Sequence, residues 1–347
     1  MLAGEKKLVT SGNYNLEDGM RAWLIEDQTG VEALKLVERE KPVLAANEVL
    51  VRMTAPAVVP FDSAVINNEN EANFPQSVLP IQPGNQGAGI VEDPNGSALA
   101  KGTRVMFGKF PYGFMRAGSW AEYVAVEADD LAVIPASIPD GAAAQAAVAY
   151  PTAYFALRDA GFAPGKTVLA TGIGGSVGNA AYQQARALGA ALVLSTAGST
   201  EKARQAEAAG FANVIDLSKE SMAEGVMRLT DGRGVDIVID SLGGPILAEA
   251  PRCVARYGKI ITLGFAAGRS AMIALADMIL VRASIQGFGV YTSTPEEWLE
   301  AWRVLTDLAA TGKVKPLFAR SFPFAEAPAA VKFLIEQRPF GAVALSL

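Results

Sequence analysis

The sequence predicts an α/β protein of two domains, a doubly wound six-stranded parallel sheet and a strand-rich, barrel-like domain. From Val168 onward, apolar strand-like runs alternate with helix-like segments, which is typical of a parallel sheet. Before Val168, short β-branched runs are broken by Pro56, Pro60 and Pro80, which favours a compact antiparallel barrel. The length of 347 residues accommodates two such domains.

The strand-rich part extends from about Met20 to Ala147. A first strand begins near Met20, and four further β-branched runs are predicted as strands at residues 48–53, 89–91, 102–107 and 120–126. Residues 1–19 are mostly polar, and we interpret them as a leader without a secretory signal.

The second part contains the strands of the parallel sheet. Six are predicted, at residues 167–171, 191–195, 213–216, 235–240, 259–263 and 284–290. The tail holds predicted helices at residues 295–311 and 325–337 and a last strand at 342–347. We expect the tail to return to the first domain.

The connection between the first two parallel strands is rich in glycine. It reads Gly172-Ile173-Gly174-Gly175-Ser176-Val177-Gly178 and opens an Ala-rich helix. Glycines let backbone N–H groups approach a pyrophosphate, and a helix N-terminus attracts that anion. Ile173 stands where the first glycine of G-x-G-x-x-G would fall, so the strict spacing is not kept. We interpret five residues of this turn as a dinucleotide site, with a ligand-free turn as the alternative: Gly174, Gly175, Ser176, Val177 and Gly178.

Composition excludes several classes of site. The chain has no histidine and one cysteine, so Ser-His-Asp triads, Cys-His pairs and zinc sites built on these residues are excluded. Cys253 is predicted to lie in a helix as a buried apolar filler. The net charge of −6 argues against general nucleic-acid binding, and no segment is predicted to span a membrane. The single cysteine favours a reducing compartment, and we expect the cytoplasm.

From Met20 onward the chain resembles the medium-chain dehydrogenase/reductase superfamily, and especially its zinc-free quinone oxidoreductase branch. The similar segments are residues 47–52, 83–91, 118–124, 149–154 and 236–244. The resemblance implies a GroES-like catalytic domain and a Rossmann domain that binds NADP. The domain boundaries are then expected at residues 20–147 with 292–347 for the first and 148–291 for the second.

The departures from the metal-binding relatives concern the zinc ligands. Val59 stands in the slot of a cysteine ligand, and Asn85 and Gln86 replace the His and Glu of a G-H-E triplet. The loop of four structural cysteines is missing. The resemblance therefore implies a member with no metal. Zinc-free relatives often carry Asn and Tyr at the slots of Val59 and Ala64, which this chain lacks.

The choice of coenzyme depends on the end of the second parallel strand. An NAD site usually has an acid there, and Ser195 occupies that place, so no carboxylate repels a 2′-phosphate. Lys202 resembles the lysine that binds this phosphate in bacterial quinone reductases, and Arg338 assists from the tail. Glu201 would argue against NADPH if its carboxylate turned towards this site. We predict NADPH, the alternative being that Ser195 caps the strand and Lys202 is a solvated helix residue.

Other coenzyme contacts follow from the resemblance. Thr152 is expected near the nicotinamide amide, and Ser241 and Leu242 near the adenosine ribose. Four residues are expected beside the nicotinamide ring, namely Gly264, Phe265, Phe288 and Val290. Phe265 and Phe288 are alternatively core aromatics.

Fewer sequence features indicate which residues contact the substrate. Phe61, Asp62 and Asn85 are expected to face the cleft together with the aromatic loop at residues 107–114, which could also be a turn packed on the barrel. Tyr112 is the candidate proton donor on sequence order. Asp62 is expected to hold the local backbone.

These observations predict an NADPH-dependent, zinc-free reductase that transfers hydride to a quinone or to the C=C bond of an α,β-unsaturated carbonyl. The alternatives are a 2-enoyl-thioester reductase and an NADPH-binding sensor or structural protein without turnover. A homodimer is expected through the exposed edge strand at residues 284–290. If the helix at residues 294–311 covers that edge, the protein is a monomer.

Overall fold

The computed structural model describes residues 19–69, 77 and 79–347, so the predicted leader lies almost wholly outside the described residues. The strands are β1 (Gly19–Ile25), β2 (Leu34–Glu40), β3 (Glu48–Val58), β4 (Gln86–Asp93), β5 (Arg104–Gly108), β6 (Tyr123–Glu127), β7 (Ala132–Val133), β8 (Thr167–Ala170), β9 (Leu192–Ala197), β10 (Val214–Asp216), β11 (Val235–Asp240), β12 (Val254–Thr262), β13 (Ser284–Gly287), β14 (Phe318–Pro323) and β15 (Ala342–Ser346). The helices are α1 (Pro60–Ile66), α2 (Asp140–Asp159), α3 (Ser176–Ala187), α4 (Thr200–Ala208), α5 (Met222–Leu229), α6 (Gly244–Glu249), α7 (Leu275–Val281), α8 (Pro295–Ala310) and α9 (Ala327–Gln337).

The predicted parallel sheet is confirmed, with strand order β10-β9-β8-β11-β12-β13. Successive residues of β8 pack into the hydrophobic cores on opposite faces of this sheet, because side chains alternate across a sheet. Val168 and Ala170 belong to the core shared with α2 and α3, whereas Leu169 belongs to the core shared with α5. Both faces are therefore covered, which explains why these strands read as continuous apolar runs.

The strand-rich part forms a second sheet of order β14-β15-β3-β4-β5-β7, with β6 also paired to β3. The pairings are antiparallel except that of β14 with β15. β15 pairs with β3, at Val343 opposite Val58, so the tail returns to the first sheet as predicted.

Helix α2 lies between the two sheets and contacts α3, α8 and β4. Most of its residues are buried, and many of the buried ones are alanines, whose small side chains allow neighbours to approach on several sides. Trp302 of α8 packs against it and donates its indole N–H to the Ala147 carbonyl at 2.8 Å. Helix α8 thus covers α2 and not the β13 edge.

Several boundaries differ from the prediction. β12 begins at Val254 instead of residue 259, because Gly258 continues the strand where a break was expected. β13 ends at Gly287, and Phe288 leaves the strand although its N–H still reaches the Thr262 carbonyl at 2.9 Å. Cys253 is buried as expected, but it follows a short 3-10 turn and does not lie in a helix.

None of the helices in the described part of the chain combines the length and apolar character needed to cross a bilayer.

Candidate active site

The glycine-rich turn joins β8 to α3 at the centre of the parallel sheet. Helix α3 begins after Gly175 with no side-chain cap, so its first-turn N–H groups point to the crevice without a side-chain partner. A Cβ at Gly178 would collide with the carbonyl oxygens of Thr171 and Gly172. Gly178 therefore lets α3 approach the end of β8, which places the helix N-terminus at the sheet edge.

Neighbouring segments hold the turn in place. The Ser176 hydroxyl donates to Gln145 of α2, so only its backbone N–H is left for a ligand. The Gly174 carbonyl accepts from the Gly341 N–H at 3.0 Å, and the Phe340 ring lies 3.0 Å from where a Gly174 Cβ would stand. The tail thus supports the turn from the side opposite the helix.

The crevice lies where the strand order reverses, since β8 has β9 on one side and β11 on the other. At the end of β11 the buried Asp240 carboxylate accepts from the Leu242 and Gly243 N–H groups, each at 3.1 Å. Burial raises the pKa of Asp240, and these donors oppose that shift. Ser241 donates its hydroxyl to the Thr171 carbonyl at 2.9 Å. Ser241 and Leu242 are thereby held, half-buried, beside the glycine-rich turn.

The prediction for Ser195 is wrong in its position. Strand β9 continues to Ala197, and Ser195 is fully buried within it, donating its hydroxyl to the Ala170 carbonyl. The segment after the strand is Gly198 and Ser199, whose side chain caps α4 by accepting the Lys202 N–H at 3.3 Å. The segment between β9 and Lys202 contains only Glu201 as an acid, but Asp216 of the neighbouring β10 lies opposite Ala197 and accepts from the Thr200 hydroxyl at 2.6 Å. The preference for NADPH therefore stays a prediction.

Lys202 lies in the first turn of α4, close enough to Arg338 in the tail for the two positive charges to repel each other. Burial lowers the pKa of Lys202, and repulsion by Arg338 lowers it further. Within the described ranges neither cation has a carboxylate at ion-pair distance. Glu201 turns outward and accepts from Gln205 at 3.2 Å, so it does not neutralise the pair. Two neighbouring cations without an acidic partner at ion-pair distance attract an anion.

The residues expected around the nicotinamide ring have different surroundings. Thr152 is buried and donates its hydroxyl to the Val148 carbonyl at 2.8 Å. Gly264 allows the chain after β12 to pass the Ser241 carbonyl, with which a Cβ would collide. Phe265 is 58% exposed beneath the Arg269 guanidinium, so it is not a core aromatic. Phe288 packs half-buried against the core and Val290 is buried.

Asp62 is buried at the start of α1. Its carboxylate accepts the Val59 N–H at 2.8 Å, which holds the first turn of the helix. Burial raises the pKa of Asp62 to about 7, although the backbone N–H groups of Val59, Asn85 and Gly84 lower it. The carboxyl therefore ties α1 to the segment that carries Asn85 and does not open to the cleft.

An aromatic wall, defined here as Phe61, Phe110, Phe114 and Tyr291, lies on the predicted substrate side, with Phe114 fully buried behind the other three rings. Ring centroids lie 5.6 Å apart for Phe110 and Phe114 and 5.7 Å apart for Phe110 and Tyr291. Asn85 lies beside the wall and donates from Nδ2 to the Tyr291 hydroxyl at 3.5 Å. The rings are tilted to one another, and the partly exposed ones give an apolar surface with a polar group at one edge, as ligand sites do.

Tyr112 lies in the barrel core, so its predicted role as a proton donor in the cleft is wrong. The side chain is fully buried, its hydroxyl donates to Asp130 at 2.9 Å and accepts from the Glu127 N–H at 3.1 Å. Burial raises its pKa well above the usual range. The loop brings Phe110 and Phe114 to the wall and turns Tyr112 inward. The sequence reasoning missed Tyr291, although it directly follows Val290.

At the zinc-ligand slots, Val59 is buried and Asn85 contacts Tyr291. In the portion of the chain that the structure covers, no three His, Cys, Asp or Glu side chains come together as a metal site would require.

Comparisons with known proteins match this architecture. The family model for the alcohol dehydrogenase GroES-like domain matches residues 45–136, and that for zinc-binding dehydrogenases matches residues 176–307. Quinone oxidoreductase 1 of Escherichia coli K12 is 30% identical over 295 residues, which cover 82% of this chain and 86% of that protein. Quinone oxidoreductase-like protein 2 of Bos taurus is 30% identical over 277 residues, 78% of this chain and 77% of that protein. The crystal structure of Escherichia coli quinone oxidoreductase complexed with NADPH superimposes with a TM-score of 0.81 at 27% identity, covering 94% of this chain and all of that one.

Proposed function

Because this chain belongs to the quinone oxidoreductase-like branch of the medium-chain dehydrogenase/reductase superfamily, we propose that it is an NADPH-dependent reductase of quinones or of α,β-unsaturated carbonyl compounds. Family membership supports an oxidoreductase that uses a nicotinamide cofactor. The observation that carries the choice of NADPH is the pair Lys202 and Arg338, two cations close enough to repel each other, with Lys202 in the first turn of the helix that follows β9.

The residues present fit a dinucleotide. The uncapped N-terminus of α3 and the close approach that Gly178 allows form a cradle for the pyrophosphate. Lys202 and Arg338 would hold a 2′-phosphate, and the segments at Gly264 and Val290 would flank the ring. When bound, the nicotinamide would supply a hydride to the acceptor.

The aromatic wall would orient a flat acceptor and exclude water from one of its faces. Tyr291, whose hydroxyl accepts from the buried Asn85, would place a polar hydrogen at the wall's edge, where an acceptor oxygen gains charge as it is reduced. We also propose that the reaction needs no zinc, since Val59, Asn85 and Gln86 cannot replace Cys, His and Glu as ligands.

Steady-state NADPH oxidation tests this function. We expect turnover with quinones or with enones, and a clear preference for one of these classes over enoyl thioesters. Turnover confined to enoyl thioesters would replace the proposed substrate class. NADPH binding without turnover of any acceptor would contradict an enzymatic role.

We further propose a homodimer through the exposed edge of β13. The adjoining segment presents large apolar side chains to solvent, among them Met272, 91% exposed, and Leu275, Ile279 and Leu280, each more than 70% exposed. A patch of this kind on a monomer favours association. Because α8 packs on α2, it leaves this edge open for a second copy.

Light scattering tests the dimer. Ile279→Asp places a charge in the patch without disturbing the core, so we expect the mass to fall from two chains to one. Ile335→Asp on α9, also an exposed apolar position, is the control and should leave the dimer intact. A wild-type mass of one chain, or a dimer that survives Ile279→Asp, would contradict this interface.

A further inference from the structure

Tyr291 lies at the junction of the two domains. It sits in a 3-10 turn, Val290–Thr292, that follows the last parallel strand and reaches across to the barrel. Its ring centroid is 6.4 Å from that of Phe61 and 5.7 Å from that of Phe110. The side chain is 37% exposed, so the ring packs against the wall while part of it remains open to the cleft.

The neighbour that contacts its hydroxyl is Asn85. Asn85 is buried, with only 2% of its surface exposed, and its Nδ2 donates to Tyr291 Oη at 3.5 Å. The other amide atom, Asn85 Oδ1, has no hydrogen-bond partner in the described structure. Since Asn85 donates to the tyrosine oxygen, the tyrosine's own proton is not used in this contact.

We propose that Tyr291 is the group that returns a proton to the reduced substrate, and that Asn85 is its positioning residue. This inference rests on the proposed function and assigns a donor within the same site. The segment that carries Tyr291 is also the one expected beside the nicotinamide, through Val290, so the hydroxyl lies close to where hydride is delivered.

The proton balance of the step is simple. Hydride addition reduces the acceptor by two electrons and leaves it with one negative charge, while the nicotinamide is oxidised. The Oη–H bond of Tyr291 breaks, its proton bonds to the reduced acceptor, and the electron pair stays on the phenolate oxygen. Asn85 Nδ2–H stabilises that charge, and water at the exposed side of the ring restores the proton.

The electrostatic surroundings of Tyr291 suit a proton donor and not a general base. Burial, with the nearby Asp62 carboxylate, raises the pKa of Tyr291 to about 12, although the Asn85 hydrogen bond lowers it. The hydroxyl is therefore protonated at neutral pH before the reaction. Tyr112 cannot compete, because its hydroxyl is held in the barrel core.

The test uses Tyr291→Phe, which keeps the ring of the wall and removes only the hydroxyl. We expect kcat to fall by roughly 10²- to 10⁴-fold while KM changes less than about threefold, as for loss of a general acid. Tyr257→Phe, at an exposed tyrosine remote from the cleft, is the matched control and should keep kcat. A Tyr291→Phe kcat within about threefold of wild type would overturn the assignment.

Asn85→Ala tests the positioning role. We expect kcat to fall about tenfold with little change in KM, and no further loss when Asn85→Ala is added to Tyr291→Phe. A structural role would instead lower the activity of the double variant by the product of both effects, which would remove Asn85 from the assignment.

A binding measurement separates this inference from the proposed function. 4-Nitrophenolate, a stable oxyanion whose absorbance reports hydrogen bonding, should bind about tenfold more weakly to Tyr291→Phe than to the wild-type protein. If wild type turns over no acceptor, the proposed function fails, and this titration still tests the hydroxyl. Equal affinity of both proteins for 4-nitrophenolate would overturn the contact, whatever the turnover.

Discussion

Gly178→Ala is expected to destabilise the dinucleotide-binding domain and abolish binding of NADPH. The added methyl group would overlap the carbonyl oxygens of Thr171 and Gly172, which are backbone atoms at the end of a central strand and cannot rotate away. Overpacking of this kind costs roughly 1–3 kcal/mol or more. We expect a loss of about 3 kcal/mol in the free energy of unfolding, measured by urea denaturation. NADPH affinity, measured by fluorescence titration, should fall at least 100-fold because α3 no longer reaches the sheet edge.

Gly175→Ala is the matched control in the same turn. Its Cβ would lie 3.4 Å from the Gly172 carbonyl, an ordinary contact, and its backbone conformation suits any residue. We expect its free energy of unfolding to stay within about 1 kcal/mol of wild type. A Gly178→Ala protein as stable as Gly175→Ala would show that α3 can shift without cost.

Lys202→Ala is expected to raise KM for NADPH by about 10- to 100-fold and to leave KM for NADH nearly unchanged. The lost contact is a charge-assisted hydrogen bond to the 2′-phosphate, worth roughly 1.5–3 kcal/mol. NADH lacks that phosphate, so the two coenzymes report the contact separately. Steady-state kinetics with each coenzyme and a fixed acceptor measures the difference.

Two further variants sharpen this result. Lys219→Ala removes an exposed lysine that pairs with Asp216 on the same side of the sheet, so it controls for general attraction of the coenzyme. Arg338→Ala should resemble Lys202→Ala, since Arg338 is close enough to lower the pKa of Lys202. Equal losses for NADPH and NADH in Lys202→Ala would show that this lysine does not bind the phosphate.

Local patterns were sufficient for the parallel sheet. Apolar runs, glycine-rich turns and helix-like periods are short-range features, and each strand that they predicted occurs in the sheet. The exact ends were less predictable. Strand β9 extends through Thr196, whose hydroxyl accepts the Gly172 N–H at 2.9 Å, a contact between segments 24 residues apart. That extension moved Ser195 from the strand end into the core.

On the substrate side, by contrast, local sequence patterns did not predict which side chains come together. Tyr112 and Tyr291 both lie within two residues of a glycine, and nothing in their local sequence indicates which one reaches the cleft. The hydroxyl of Tyr112 is held in the barrel because it donates to Asp130 and accepts from the Glu127 N–H. Tyr291 is hydrogen-bonded to Asn85, which lies 206 residues earlier in the chain. Such contacts depend on how the two domains pack, which no local period encodes.

The sequence by itself determined the parallel sheet, the glycine-rich turn that we propose for a pyrophosphate, the absence of histidine and of paired cysteines, and the serine and glycine residues directly after the second parallel strand. Only the tertiary structure decided which side chains converge. It brought Lys202 from the first turn of α4 to Arg338 in the tail, and Tyr291 to Asn85. The physical reason is that backbone propensities act over a few residues, whereas a site is built where distant segments are packed together.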